Sequence, residues 1–186
     1  MRDDTALWDT PRDPAKPIDL GPARLTPVHL TRQTLVSGPN VLTQTDLPLI
    51  EWPGSAPDRP YAVTLRRDRL LLVNAPETPD GWNDATRQAT SDVTDAYTVF
   101  DLTGDALPLL GRGAEITPDI PSRSTARLLF GLGVFLYRME DAKTYRLHVP
   151  RAHAEALVTH FEKAASHLNS GSRAPGPVLG PLTMRS

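Results

Sequence analysis

Apolar and polar positions alternate in short runs through most of the chain and switch to a helical period only near its C-terminal end. Tyr61, Val63 and Leu65 alternate with smaller or polar residues, and Arg67-Asp68 leads into the continuous apolar run Leu70 to Val73. This predicts a β-hairpin, Tyr61–Arg66 with Arg69–Asn74, whose second strand is covered on both faces. Asp92 to Gly104 is an extended run ended by a Thr-Gly turn, with its strand at Tyr97 to Leu102. Asp105 to Gly111 carries Ala106, Leu107, Leu109 and Leu110 as one or two helical turns, with Pro108 in the first turn, where a missing donor does no harm. Thr125 to Phe130 and Val134 to Met139 predict strands around Gly131-Leu-Gly133, and a polar turn then leads into a strand at Thr144 to Val149. From Arg151 to Leu168, the positions Ala154, Leu157, Val158, Phe161, Ala165 and Leu168 form one stripe at three-and-four spacing. Strands that feed directly into helices predict an α+β domain: a mixed or antiparallel sheet with helices packed on one face.

Proline sets the expected boundaries. There are 19, about twice the usual share of ~5%, and ten fall in the first sixty residues. Each fixes φ and removes a backbone donor, so residues 1–24 are expected to be a flexible arm. The Gly/Ser/Pro-rich stretch 169–186 is expected to be a flexible tail, leaving 25–168 as a single domain. Val41 to Thr45 and Leu47 to Glu51 predict short extended segments, and Trp82 to Thr90 a short helix after the Pro79-Asp80-Gly81 turn.

Charge and composition narrow the function classes. A net charge of −2 gives no electrostatic footprint for nucleic acid or an anionic membrane. No apolar run approaches the roughly 20 residues that span a bilayer, and the N-terminal residues lack the apolar core of a signal peptide, so a cytoplasmic location is expected. The absence of cysteine excludes disulfides, thiolate chemistry and cysteine-ligated metal. His153, His160 and His167 recur every seven residues. Two helical turns separate each from the next by about 10 Å, whereas a zinc ion needs its ligands ~2 Å away, so no metal site is expected. His148 alternates with Leu147 and Val149 and is expected to face outward or line an interface. Gly111-Arg-Gly113 lacks the third glycine of a dinucleotide loop and fits a helix C-terminus. Asp92 and Asp95 are expected to form turns, and no serine has a nucleophile elbow around it. Trp52 and Trp82, in Pro/Gly-rich loops, are the interface candidates. No catalytic residue is assigned.

The blocks Arg69-Leu-Leu-Leu-Val73, Asp92-Val-Thr-Asp-Ala96, Val99-Phe-Asp-Leu-Thr-Gly104, Gly133-Val-Phe-Leu-Tyr-Arg138 and Tyr145-Arg-Leu-His-Val-Pro-Arg151 fall in an order and spacing with a known counterpart. Over residues 61–165 the chain resembles the gamma subunit of heterotetrameric sarcosine oxidase, a relative of the folate-binding domain of the glycine-cleavage T-protein. The resemblance implies the T-protein-like fold and a non-catalytic accessory subunit, its arm lying across a neighbour, in a complex that oxidatively demethylates sarcosine to glycine. It implies larger flavoprotein subunits as partners, with FAD, FMN, NAD and tetrahydrofolate held by those partners. Folate-using relatives carry an Asn-Asp pair after the first helix. Here that loop is Gly113-Ala-Glu-Ile-Thr-Pro-Asp119, which leaves Glu115 and Asp119 as the nearest cofactor-binding candidates. A free-standing folate-binding protein on the same fold, and a divergent interaction module, are the alternatives.

Overall fold

A computed structural model describes residues 16–116 and 120–171 of the chain. The expected arm's residues 1–15, the tail's residues 172–186 and Asp119 lie outside the described residues.

Two sheets and two helices make up the fold. In chain order the strands are β1 (Ile18–Asp19), β2 (Ala23–Val28), β3 (Gln33–Ser37), β4 (Leu49–Ile50), β5 (Ser55–Ala56), β6 (Tyr61–Arg66) and β7 (Arg69–Val73). They continue with β8 (Gly81–Asn83), β9 (Gln88–Asp92) and β10 (Tyr97–Gly104). Helix α1 (Leu107–Gly113) comes next, followed by β11 (Ala126–Leu129), β12 (Leu132–Met139), β13 (Tyr145–Pro150) and helix α2 (Ala154–Gly171). The first sheet runs β1-β2-β10-β13-β12-β11, with β5 added in parallel to the end of β12 at Arg138 and Met139. The second runs β4-β6-β7-β3-β9-β8, antiparallel except where β4 joins β6. The α+β class and the mixed sheets agree with the sequence pattern. The division into two sheets is new.

The first sheet is the middle layer. On β13, Tyr145, Leu147 and Val149 point to the helices, where Leu157, Val158 and Phe161 of α2 and Leu109 and Leu110 of α1 complete one core. The other face of that sheet carries Val99 and Tyr137 against Tyr61, Val63, Leu71 and Val73 of the second sheet. Opposite them, Ala62 and Leu70 face a cover that includes Val41, in the 3-10 turn Val41–Thr43. Hence β6 and β7 are buried on both faces, which the unbroken apolar run of β7 required.

Several expectations need correction. The arm does not extend to residue 24: β1 pairs with β2, and β2 lies inside the first sheet against β10, from Ala23↔Gly104 to Val28↔Val99. Pro22 tolerates this because the Pro22 carbonyl accepts Asp105 N–H at 2.9 Å, and Pro27 occupies one strand position without breaking the ladder. Ile18, Asp19, Ala23 and Arg24 therefore pair within their own chain and are not part of a free arm. Trp82 to Thr90 is a hairpin, not a helix. The Asn83 side chain accepts the N–H groups of Ala85 and Thr86, Arg87 takes a positive φ, and β9 gains a full ladder on β3. Val41–Thr43 is helical where an extended segment was expected, and α2 continues three residues past Leu168.

Candidate functional site

Where the two sheets face each other, a line of polar side chains crosses the apolar core. Arg146 and His148 share the inward face of β13, two residues apart. Pairing register places Asp101 of β10 on one side of Arg146 and Tyr137 of β12 on the other. Tyr61 reaches in from β6 and Gln33 from β3. The Arg146 guanidinium grips the Asp101 carboxylate through two 2.8 Å hydrogen bonds and donates a third, at 3.2 Å, to the Tyr61 hydroxyl. The Tyr61 and Tyr137 hydroxyls are 2.8 Å apart, Tyr137 lies 2.6 Å from His148 Nε2, and His148 Nδ1 lies 2.6 Å from Gln33 Oε1.

The direction of each bond follows from the two ends. Gln33 Nε2 donates to the Thr94 carbonyl at 3.3 Å, which leaves its Oε1 as the acceptor facing His148. His148 therefore carries its proton on Nδ1 and accepts from Tyr137 at Nε2. Tyr137, having donated, accepts from Tyr61, which in turn accepts from Arg146. Every donor points the same way along the line, so each polar group in it is satisfied without an added charge.

Burial fixes the protonation states. His148 is fully buried, and desolvation, helped by the Arg146 charge, lowers its pKa to about 3. Burial pushes the Tyr137 hydroxyl well up, with Tyr61 adding to the shift. Tyr61 is raised by burial against the opposing pull of Arg146. Burial works against the Arg146 charge too, but the Asp101 carboxylate outweighs it and the guanidinium pKa rises. Around neutral pH the line thus holds one ion pair and four neutral side chains, none of them poised to exchange a proton.

Gln33, although buried, also borders a surface cleft. It lines a cleft of about 500 Å³ together with Pro27, His29, Thr94, Thr98 and Arg151. The backbone N–H of Gln33 donates to Thr94 Oγ1 at 2.9 Å, so both ends of this residue tie β3 to the turn before β10.

The candidates from sequence lie elsewhere. Glu115 is exposed on the loop after α1. Trp52 is 3% exposed and packs in the helix-backed core, its ring 6.4 Å from that of Tyr145, so it is a core residue and not a contact surface. Trp82 is 60% exposed on β8 at the end of the second sheet, its indole N–H bonded to Asp84. His148 lines an interface as one reading expected, but the interface is internal. His160 stacks on Phe130 at 5.3 Å, and among the described residues no three His, Asp or Glu side chains gather as a metal site. Asp92 accepts the Thr94 N–H and Asp95 pairs with Arg151, both in the turn between β9 and β10. Sequence reasoning did not find Gln33, Tyr61, Tyr137, Arg146 or Asp101 as a group. Their only signal was polar residues alternating with apolar ones on strands whose second face gave no sign of being covered.

No protein-family model and no curated protein matches the chain. Among solved structures, heterotetrameric sarcosine oxidase from Corynebacterium sp. U-96, in complex with pyrrole 2-carboxylate, contains a chain that superposes with a TM-score of 0.58. The match covers 78% of this chain and 84% of that one at 18% identity. The fold is that of a sarcosine oxidase chain. The resemblance carried by the sequence blocks and the fold agree, and the matched part of each protein is most of its chain. Among the described residues no helix is long and apolar enough to cross a membrane.

Proposed function

We propose that the protein is a non-catalytic, gamma-like accessory subunit of a sarcosine oxidase-type assembly. The observation that carries this reading is the fold match, which takes in similar shares of two chains of comparable length, one of them from a heterotetrameric enzyme. In this reading, larger flavoprotein subunits hold FAD, FMN, NAD and tetrahydrofolate, and the complex demethylates sarcosine to glycine. The one-carbon unit passes to tetrahydrofolate and the electrons to oxygen. The locked protonation of the inter-sheet line supports a structural role, because it offers no nucleophile or proton carrier near neutral pH. A free-standing folate-binding role needs a carboxylate in a pocket at the loop after α1. Glu115 is exposed there, and Asp119 lies outside the described residues.

The test is affinity capture of the full-length protein from its own cells at low salt, with mass spectrometry and a flavin absorbance scan of the eluate. Recovery of large flavin-carrying chains in fixed proportion is the expected result. A colourless eluate without partner chains overturns the proposal.

A further inference from the structure

The second sheet covers only part of the first sheet's inward face and leaves it bare near β11. There Tyr97, Ala126, Leu128, Gly133, Phe135 and Pro150 line an open groove of about 430 Å³. Leu128 is 69% exposed, more than any other large apolar side chain among the described residues. The Tyr97 and Phe135 rings, 5.1 Å apart, form one wall. The floor is open at Gly133, where an added Cβ would meet nothing within 4 Å. Apolar surface of this kind, left uncovered beside a packed core, marks an interaction site.

The rim is basic. Arg127 lines the groove and Arg123 stands just before it. Ser124 Oγ donates to the Leu65 carbonyl at 2.7 Å and Thr125 N–H to the Thr64 carbonyl at 2.9 Å, which draws exposed Arg66 and Arg67 alongside. Arg69 lies near enough for its charge to act on the Tyr97 hydroxyl. Asp68 shares the turn of these arginines, and Asp95 is paired with Arg151. On a chain of net charge −2, this is a local excess of positive charge.

The N-terminal end of the β11 edge is blocked to an added strand. Ser124 Oγ accepts the Ala126 N–H, and the Arg127 guanidinium donates to the Ser124 and Ala126 carbonyls at 2.9 and 2.8 Å. Blocked edges of this kind prevent strand addition, so an occupant must lie on the face. We propose that this groove receives an apolar segment of a larger partner subunit, flanked by carboxylates that meet the arginine rim. This rests on the accessory-subunit reading and names the surface that reading needs.

The test repeats the capture from the protein's own cells with Leu128→Asp and Gly133→Leu, with Leu107→Ala, an exposed apolar position on α1 at the opposite face of the first sheet, as control. Gly133→Leu puts a side chain into the groove from a position where a Cβ meets nothing within 4 Å, and an unchanged circular dichroism melt establishes that it folds. Loss of partner recovery by about tenfold or more in both groove variants, with Leu107→Ala at the wild-type level, is expected. Wild-type recovery should also fall with salt, and an Arg66→Glu, Arg67→Glu, Arg123→Glu triple variant should lower it at low salt. Hydrogen exchange on the wild-type complex needs no variant and should show added protection over residues 126–135. Groove variants that keep their partners, or a complex without that protection, overturn the groove while the subunit reading stands. Failure of the wild type itself to capture partners overturns both.

Discussion

His148 shows how one buried side chain makes stability depend on pH. Its pKa is about 3 in the folded chain and ~6.5 when unfolded, so between those values the unfolded chain binds the extra proton. The histidine's contribution is complete above about pH 6.5 and is lost as pH falls toward 3. The slope reaches at most about 1.4 kcal/mol per pH unit from this group. Urea unfolding of the wild type and His148→Gln between pH 7 and pH 4 should show the wild type losing stability faster than the variant. Parallel losses would show that His148 is not neutral and buried. The sequence displayed the alternation of Leu147, His148 and Val149, which put the histidine on the face away from Leu147. That the face meets Gln33, 115 positions earlier in the chain, was not legible.

At the scale of elements, the contact between α1 and β11 turns on two glycines that look alike in sequence. A Cβ on Gly113 would lie 2.7 Å from Leu129 Cδ1 and 2.8 Å from the Phe130 ring, and the Gly113 carbonyl accepts the Phe130 N–H. A Cβ on Gly111 would meet open space. Gly113→Ala should therefore cost about 1–3 kcal/mol by overpacking, whereas Gly111→Ala should gain about 0.5–1 kcal/mol from helix propensity. Thermal melts of both variants check the pair, and equal effects would contradict the close approach. The Gly-Arg-Gly pattern indicated a helix end, and α1 does end there. Which glycine touches a strand could not be read, because β11 arrives from more than ten positions further on.

For the whole molecule, the shared apolar layer decides whether two sheets behave as one unit. Tyr61, Val63, Leu71 and Val73 of the second sheet pack against Val99 and Tyr137 of the first, and the line from Asp101 to Gln33 crosses the same layer. Unfolding should then be a single cooperative transition, with near-ultraviolet signals from tyrosine and tryptophan coinciding with backbone circular dichroism. Two resolved transitions would show that the sheets are separable. The other core, between the first sheet and the helices, takes Trp52: its proline-rich loop folds back into it and buries the ring, whereas Trp82 stays exposed at the second sheet's edge.

By itself the sequence determined the elements whose information is local. The stripe of α2, the β6–β7 hairpin, the strands flanking Gly131 and the α+β class all follow from periodicities of 3.6 and 2 and from turn chemistry. It also carried enough ordered blocks to point to the sarcosine oxidase fold. Tertiary structure alone decided that the strands divide into two sheets, that residues 81–92 form a hairpin whose β9 strand pairs with β3 instead of coiling, and that β1 and β2 join the first sheet. It also placed the polar line and the groove at β11. Each of these depends on which second face a strand buries, and that is set by residues far away in the chain, whose hydrogen bonds and apolar contacts override local preference.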